Sequence, residues 1–224
     1  MSQQSTFAAG EAIPFVEYDA VSDEQLGFYI DSSICSGCKA CQVSCQDNKQ
    51  LDVGQRFRRV YEKAGGGFEM TEAGGFTNSV FAYTVSIACN HCDKPMCMRR
   101  CPTDAIHKRE GDGIVRINTD TCIGCGNCAK SCPYKAPQMN PKTGKADKCD
   151  FCIDRLAQGQ QPVCVKSCPL HAIEFGPISQ LRKKYGELAE VNGLPTAKMT
   201  RPNLVIKPNR GALKKPEHAQ LVKG

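Results

Sequence analysis

Sixteen cysteines are the residues of this 224-residue chain whose type and spacing specify a chemistry. They fall into four groups of four, with none left over. Group one is Cys35, Cys38, Cys41 and Cys45, spaced C-x2-C-x2-C-x3-C. Group three is Cys122, Cys125, Cys128 and Cys132, with the same spacing. Group two, Cys89, Cys92, Cys97 and Cys101, is spaced C-x2-C-x4-C-x3-C. Group four, Cys149, Cys152, Cys164 and Cys168, is spaced C-x2-C-x11-C-x3-C. Three thiolates two residues apart can hold three corners of a [4Fe–4S] cubane from one tight turn. A fourth, three residues on, points away at the start of a short helix and ligates the other cluster of a pair. Gly37, Gly124 and Gly126 lie inside these loops, where a missing Cβ lets amides turn toward cluster sulfurs. Pro102, Pro133 and Pro169 each follow a fourth cysteine. Their fixed φ and absent N–H suit the first turn of a helix.

Two other chemistries use many cysteines. Structural zinc usually takes two well-separated pairs, so three or four cysteines in a short run would crowd one ion. Group four, with its 11-residue gap, is the most zinc-like. A disulfide framework suits short secreted chains. This N-terminus shows no charged start followed by an apolar run. No Ser–His–Asp set, carboxylate pair or nucleotide-binding loop is recognisable, so no catalytic residue is assigned.

Composition fits the cluster reading. Hydrophobic residues make up 41% and there is no Trp, which predicts a thin core supplemented by metal–thiolate bonds. The formal charge is +6 with thiols counted as neutral. Each [4Fe–4S]²⁺ core with four thiolates carries about −2, so four of them would bring the total to roughly −2. The basic residues therefore balance clusters and do not indicate nucleic acid. The longest apolar-rich stretch, Val80 to Cys89, is far shorter than the ~20 residues of a spanning helix. No direct membrane span is expected.

The elements that must position the cysteines are themselves repeated. Ala105–Ile106 and Ala172–Ile173 follow two of the prolines at one offset, and Ile30–Asp31 and Ile117–Asn118 precede groups one and three at another. This is an internal repeat of a ferredoxin-like half-unit. Gly111-Asp-Gly113 and Asn140 to Gly144 read as hairpin turns, and Val80 to Ile87 as a strand. Ile178 to Val191 reads as a helix after Pro177, with Leu181 and Leu188 on one face. Gly65 to Gly75 reads as a glycine-rich surface loop. The expected fold is α+β, loop-rich, with short strands and helices.

Several residues invite a functional reading. His91, inside group two, is read as a solvent contact or a hydrogen-bonding neighbour of the ligands, since its group already has its cysteines. His107 and His171 follow fourth cysteines and are candidates for tuning a cluster. Tyr134 is read as packing, and Arg182-Lys-Lys184 as a solvated helix face. Arg56, Arg58 and Arg59 are read either as balancing cluster charge or as docking a partner.

At these residues the chain resembles the four-cluster ferredoxin subunits of molybdenum-enzyme complexes. Within them it is most similar to the iron–sulfur B subunits of anaerobic dimethyl sulfoxide reductases. The resemblance runs from about Phe28 to Pro208. It is carried by Phe28-Tyr-Ile-Asp31, Phe57-Arg-Arg-Val-Tyr-Glu62, Ser86 to Cys92, His107-Lys-Arg-Glu110, Cys122-Ile-Gly-Cys125 and Cys132-Pro-Tyr134. It continues in Lys148-Cys-Asp150, Phe175-Gly-Pro177, Leu181 to Lys184 and Asn203 to Pro208. The resemblance implies four [4Fe–4S] clusters in two fused modules. Cluster 1 would be held by Cys35, Cys38, Cys41 and Cys168, and cluster 4 by Cys149, Cys152, Cys164 and Cys45. Cluster 2 would be held by Cys89, Cys92, Cys97 and Cys132, and cluster 3 by Cys122, Cys125, Cys128 and Cys101.

The implied organisation is a flexible arm over 1–25 and a first module from 26–60 with 145–180. A second module spans 80–144, and a C-terminal helix and partner-docking tail spans 181–224, with Leu204-Val-Ile206 as the tail's apolar centre. The implied function is electron relay, without catalysis, from a quinol-oxidising integral membrane subunit to a molybdopterin catalytic subunit. Equivalent subunits of nitrite, formate, polysulfide or tetrathionate enzymes, and a free-standing polyferredoxin, are the alternatives. The location implied is peripheral to the cytoplasmic membrane, with co-export to the periplasm allowed.

Overall fold

In the computed structural model, residues 24–213 and 219–222 are described. The apolar run Leu26–Asp31 forms a strand with all six residues buried. A strand covered on both faces needs such an unbroken run. It pairs antiparallel with Ile173–Pro177 on one side and parallel with Leu204–Lys207 on the other. A shorter antiparallel pair, Ile106–Lys108 with Val115–Ile117, repeats the first ladder in small.

The two ladders share a register. Ile30 faces Ile173 in one, and Ile106 faces Ile117 in the other. Each isoleucine stands at the same offset from a cysteine: Ile30 before Cys35, Ile117 before Cys122, Ile106 after Cys101 and Ile173 after Cys168. The repeat seen in the sequence is thus a repeat in space. Each ladder sets two cysteine groups side by side. Groups two and three come from neighbouring stretches, whereas groups one and four come from opposite ends of the chain.

A second three-stranded sheet, antiparallel throughout, orders Ala219–Val222, Arg59–Gly65 and Phe81–Ile87. Both hairpin turns form, the second joining Gln138–Met139 to Ala146–Asp147. The fold is therefore α+β and loop-rich. Its main core packs Phe28, Ile30, Phe151, Ile153, Leu204 and Ile206 together with Cys41, Cys45, Cys89, Cys149 and Cys164. The thiols are part of the core. Phe28 meets Phe151 edge to face, with ring centroids 4.8 Å apart.

Four expectations change. The helix after Pro177 covers only Ile178–Tyr185, because Gly186 at φ +89° ends it. Leu181 is buried, but Leu188 lies beyond the helix and is 41% exposed. The glycine-rich stretch is not a plain loop. It folds into a hairpin, Phe68–Met70 with Phe76–Asn78, whose Phe68, Met70 and Phe76 side chains are exposed. Leu204, Val205 and Ile206, read as the centre of a docking tail, are instead interior residues of this protein's own sheet. Finally, the short helices carry the third cysteine of a group and not the fourth at their start. Cys97, Cys128 and Cys164 lie within helices Met96–Arg99, Asn127–Ser131 and Val163–Lys166, and Cys101, Cys132 and Cys168 lie past their ends. The following proline explains this, since it disfavours helical φ/ψ in the residue before it. Group one has no such proline, and its helix Ala40–Asn48 runs through both Cys41 and Cys45. The arm read over 1–25 lies outside the described residues, apart from Glu24 and Gln25.

If Leu204–Lys207 is structural, Ile206→Ala should cost about 2–5 kcal/mol of stability and Leu188→Ala less than about 0.5 kcal/mol. Denaturant midpoints of the two variants would check this.

Candidate metal centres

None of the sixteen cysteines is disulfide-bonded, and the fold brings cysteines of different groups together. Cys35, Cys38, Cys41 and Cys168 line one cavity together with Ile30, Ser86 and Ile173. Cys89, Cys92, Cys97 and Cys132 line a second, with His91, Val115 and Tyr134. Cys45, Cys149, Cys152 and Cys164 are all buried and lie near enough to influence one another's ionisation. Cys122 and Cys125 act likewise on Cys128, and Cys101 packs in the same apolar cluster. We refer to these as sets one, two, four and three, in that order. In sets one and two the cavity lining brings the fourth cysteine of one group to the first three of another.

Three devices shape the sets. Positive φ at Gly37, Gly124 and Gly126, all near +72°, turns the ligand loops. At Gly124 a Cβ would meet the Gly144 carbonyl oxygen at 2.3 Å. The second device is a donor after each Cys-Pro turn. The Ala136 N–H donates to Cys132 Sγ at 3.4 Å, and the Ala172 N–H to Cys168 Sγ at 3.3 Å. Ala105, at the same offset, donates to Cys101. Against the penalty of burial, this N–H and those of Thr103 and Ile106, with the Thr103 hydroxyl, hold the Cys101 thiol below its usual range. Only the alanines at 105 and 172 stand out as a repeat in the sequence; Ala136 follows the same rule without the isoleucine.

The third device is burial itself. It pushes the Cys45 thiol up to about 11, and Cys92, Cys97 and Cys152 up to about 12, with neighbouring sulfurs adding to the rise in each. At neutral pH such thiols stay protonated until a metal cation displaces the proton. Among the described residues no three Cys, His, Asp or Glu side chains converge on a point one metal ion would fill. A zinc ion needs four donors within about 2.3 Å of one centre. Thiols ringing a wider cavity, with amide donors aimed at the sulfurs, fit an iron–sulfur cluster.

The other singled-out residues separate clearly. His91 is fully buried, so the solvent-contact reading falls. Its ring stacks on Phe151 at 3.8 Å, and Nδ1 accepts the Val115 N–H at 2.9 Å. Burial first, then Lys148 and Lys108, keeps it neutral. Tyr134 is buried against set two. His107 is half-buried on its strand, and His171 is exposed. Lys183 and Lys184 are exposed on the helix, and Lys184 pairs with Glu174 at 3.2 Å. The three arginines take three roles. Arg56 offers its backbone N–H to Gln138, Arg59 donates to the Tyr134 carbonyl at 2.6 Å, and Arg58 is 1% exposed inside the core. Lys148 is the second buried cation, with Nζ donating to the Cys149 carbonyl at 3.0 Å. Sequence reasoning quotes Lys148 and Ser86 only within segments of resemblance and gives neither a role, because polar residues near cysteines carry no spacing signal.

Fold and site together define a ferredoxin-type iron–sulfur protein, and the comparisons agree. Residues 80–178 match the family described as a 4Fe-4S dicluster domain. The protein is 54% identical over 185 residues to the B subunit of anaerobic dimethyl sulfoxide reductase from Escherichia coli, covering 83% of this sequence and 89% of that one. It is 48% identical to the subunit of the same name from Haemophilus influenzae, covering 84% and 92%. It is 40% identical to the thiosulfate reductase electron transfer subunit of Salmonella typhi, covering 67% and 74%. The protein belongs to the family of anaerobic dimethyl sulfoxide reductase B subunits. Among the described residues no helix is long and apolar enough to cross a membrane.

If each set holds one cluster, Gly124→Val should strip set three of iron, about a quarter of the total, whereas Gly67→Ala, with open space around its Cβ, should change nothing. Colorimetric iron determination on the purified proteins would check this.

Proposed function

We propose that this protein is the electron-transfer subunit of a dimethyl sulfoxide reductase-type complex. It holds four [4Fe–4S] clusters, one in each cysteine set, with all sixteen cysteines as ligands. It relays electrons from a quinol-oxidising membrane subunit to a molybdopterin catalytic subunit and performs no substrate chemistry itself. Each cluster, when bound, accepts and releases one electron.

One observation carries this reading: exposure changes along the four sets. Sets one and three each include one exposed ligand, Cys38 and Cys125. Set four is wholly buried, and set two mixes buried with half-buried ligands. Adjacency orders them. Cys41 of set one and Cys45 of set four share helix Ala40–Asn48, and Cys149 of set four senses Cys89 of set two. Cys97 of set two and Cys101 of set three flank one helix end. The order one–four–two–three thus has an exposed ligand at each end and none in the middle. That is the form of a relay between two partners. Exposed apolar residues stand at both ends, Ile34 and Leu170 beside set one and Ile123 beside set three. They suit contact with partner subunits.

The organisation proposed is a first module from 26–60 with 145–180 and a second from 80–144. The location proposed is peripheral to the cytoplasmic membrane, within the complex. Its similarity to a thiosulfate reductase subunit makes another sulfur-compound reductase the second reading of the partner.

The test is elemental. The purified complex should contain about 16 iron atoms and as many labile sulfides in this subunit, with interacting S = 1/2 EPR signals on reduction. About four zinc ions and no labile sulfide would overturn the reading. Substrate assays on the co-purified catalytic subunit distinguish dimethyl sulfoxide from thiosulfate.

A further inference from the structure

Two cations are buried in the core, Arg58 at 1% and Lys148 at 3% exposure. Neither forms an ion pair with a carboxylate among the described residues. A buried charge without a counter-charge is strongly unfavourable. The charges that act on Arg58 are the sulfurs of Cys164, Cys41, Cys149 and Cys45; on Lys148 they are the sulfurs of Cys89, Cys97 and Cys149 first, and the Asp150 carboxylate after them.

Arg58 faces sets one and four. Its guanidinium lies over the Phe28 ring, 4.3 Å from the centroid. Nη1 donates to Ser86 Oγ at 3.2 Å, and that hydroxyl contacts Cys41 Sγ of set one at 3.4 Å. The backbone N–H of the same residue donates to the sulfur of Cys45, in set four. Nε and Nη2 are buried without a partner. Lys148 faces sets four and two. Nζ donates to the carbonyl of Cys149, a set-four residue, and to that of Val115, which lines the set-two cavity. Cys89 and Cys97 of set two and Cys149 of set four are the sulfurs that favour its charge against burial. One cation therefore stands at each of two successive junctions, and set four touches both.

We propose that Arg58 and Lys148 set reduction potentials: each is a fixed cation shared by two neighbouring clusters, and the cluster in set four is raised by both. Reduction adds a negative charge, which a cation in a low-dielectric interior stabilises. The cluster with four buried ligands would otherwise resist reduction most, since burial disfavours the extra charge. Two shared cations offset that penalty where it is largest. The proposal rests on the four-cluster reading, and the experiment separates the two.

Potentiometric EPR titration of the intact complex would compare wild type, Arg58→Gln, Lys148→Gln and the double variant. Each single variant should shift two of the four potentials downward, by about tenfold in the one-electron equilibrium constant, or about 59 mV. The double variant should shift three, one of them by the sum, and leave the fourth unmoved. Arg58→Lys should restore most of the first shift. This pattern needs no prior assignment of signals to sets. Full iron content with unmoved potentials, or four equal shifts, would overturn the proposal. If Arg58→Gln loses iron, Lys148→Gln and Arg58→Lys carry the same test, with two shifts and near-normal potentials respectively. Iron and sulfide analysis of the wild type reads the cluster assignment independently of any potential.

Discussion

The structure depends on placing thiols that will carry negative charge inside a protein core. Burial, with Cys45, Cys89 and Cys152 adding to the rise, drives Cys149 well above the ordinary thiol range. Anions in such surroundings are tolerated only when cations and hydrogen-bond donors surround them. The protein supplies both. Amides follow each Cys-Pro turn, Ser86 touches Cys41, and Arg58 and Lys148 stand between sets. The cluster iron supplies the remainder, which ties assembly to folding.

A second constraint is that ligands for each set come from two groups. Separate stretches must be held at a fixed spacing before any metal arrives, and the two ladders do this. Pairing Ile30 with Ile173, and Ile106 with Ile117, sets the groups against each other in one register. A slip by one residue would turn the isoleucines out of the core and misalign the thiols, so packing and metal geometry enforce the same pairing. The parallel Leu204–Lys207 strand covers the far edge of the larger ladder. The buried neutral His91 ties Phe151 to the smaller ladder, since it stacks on that ring and accepts the Val115 N–H.

Much of this is legible in the residues alone. The cysteine spacings, the prolines and the repeated isoleucines announce ferredoxin-type half-units, since turn geometry near a cluster is local and leaves a local trace. The loop glycines adopt the positive φ their positions require. Helix ends are less legible. Gly186 stops a helix whose apolar period runs on to Leu188, because a backbone conformation outweighs the periodic pattern. The tail's apolar centre reads as a docking surface because a short apolar segment looks alike whether it packs on its own protein or on another.

The sequence by itself determined the chemistry: sixteen thiols in four groups, soft donors suited to iron, and loops that wrap a cubane. Only the tertiary structure decided which cysteines reach the surface and which cations are buried among them. The physical reason is range. A tight turn and a helix cap are settled within a few residues. The meeting of Arg58 with Ser86 and Cys164, or of Lys148 with Cys89 and Val115, requires stretches far apart in the sequence to come together. No spacing rule records that.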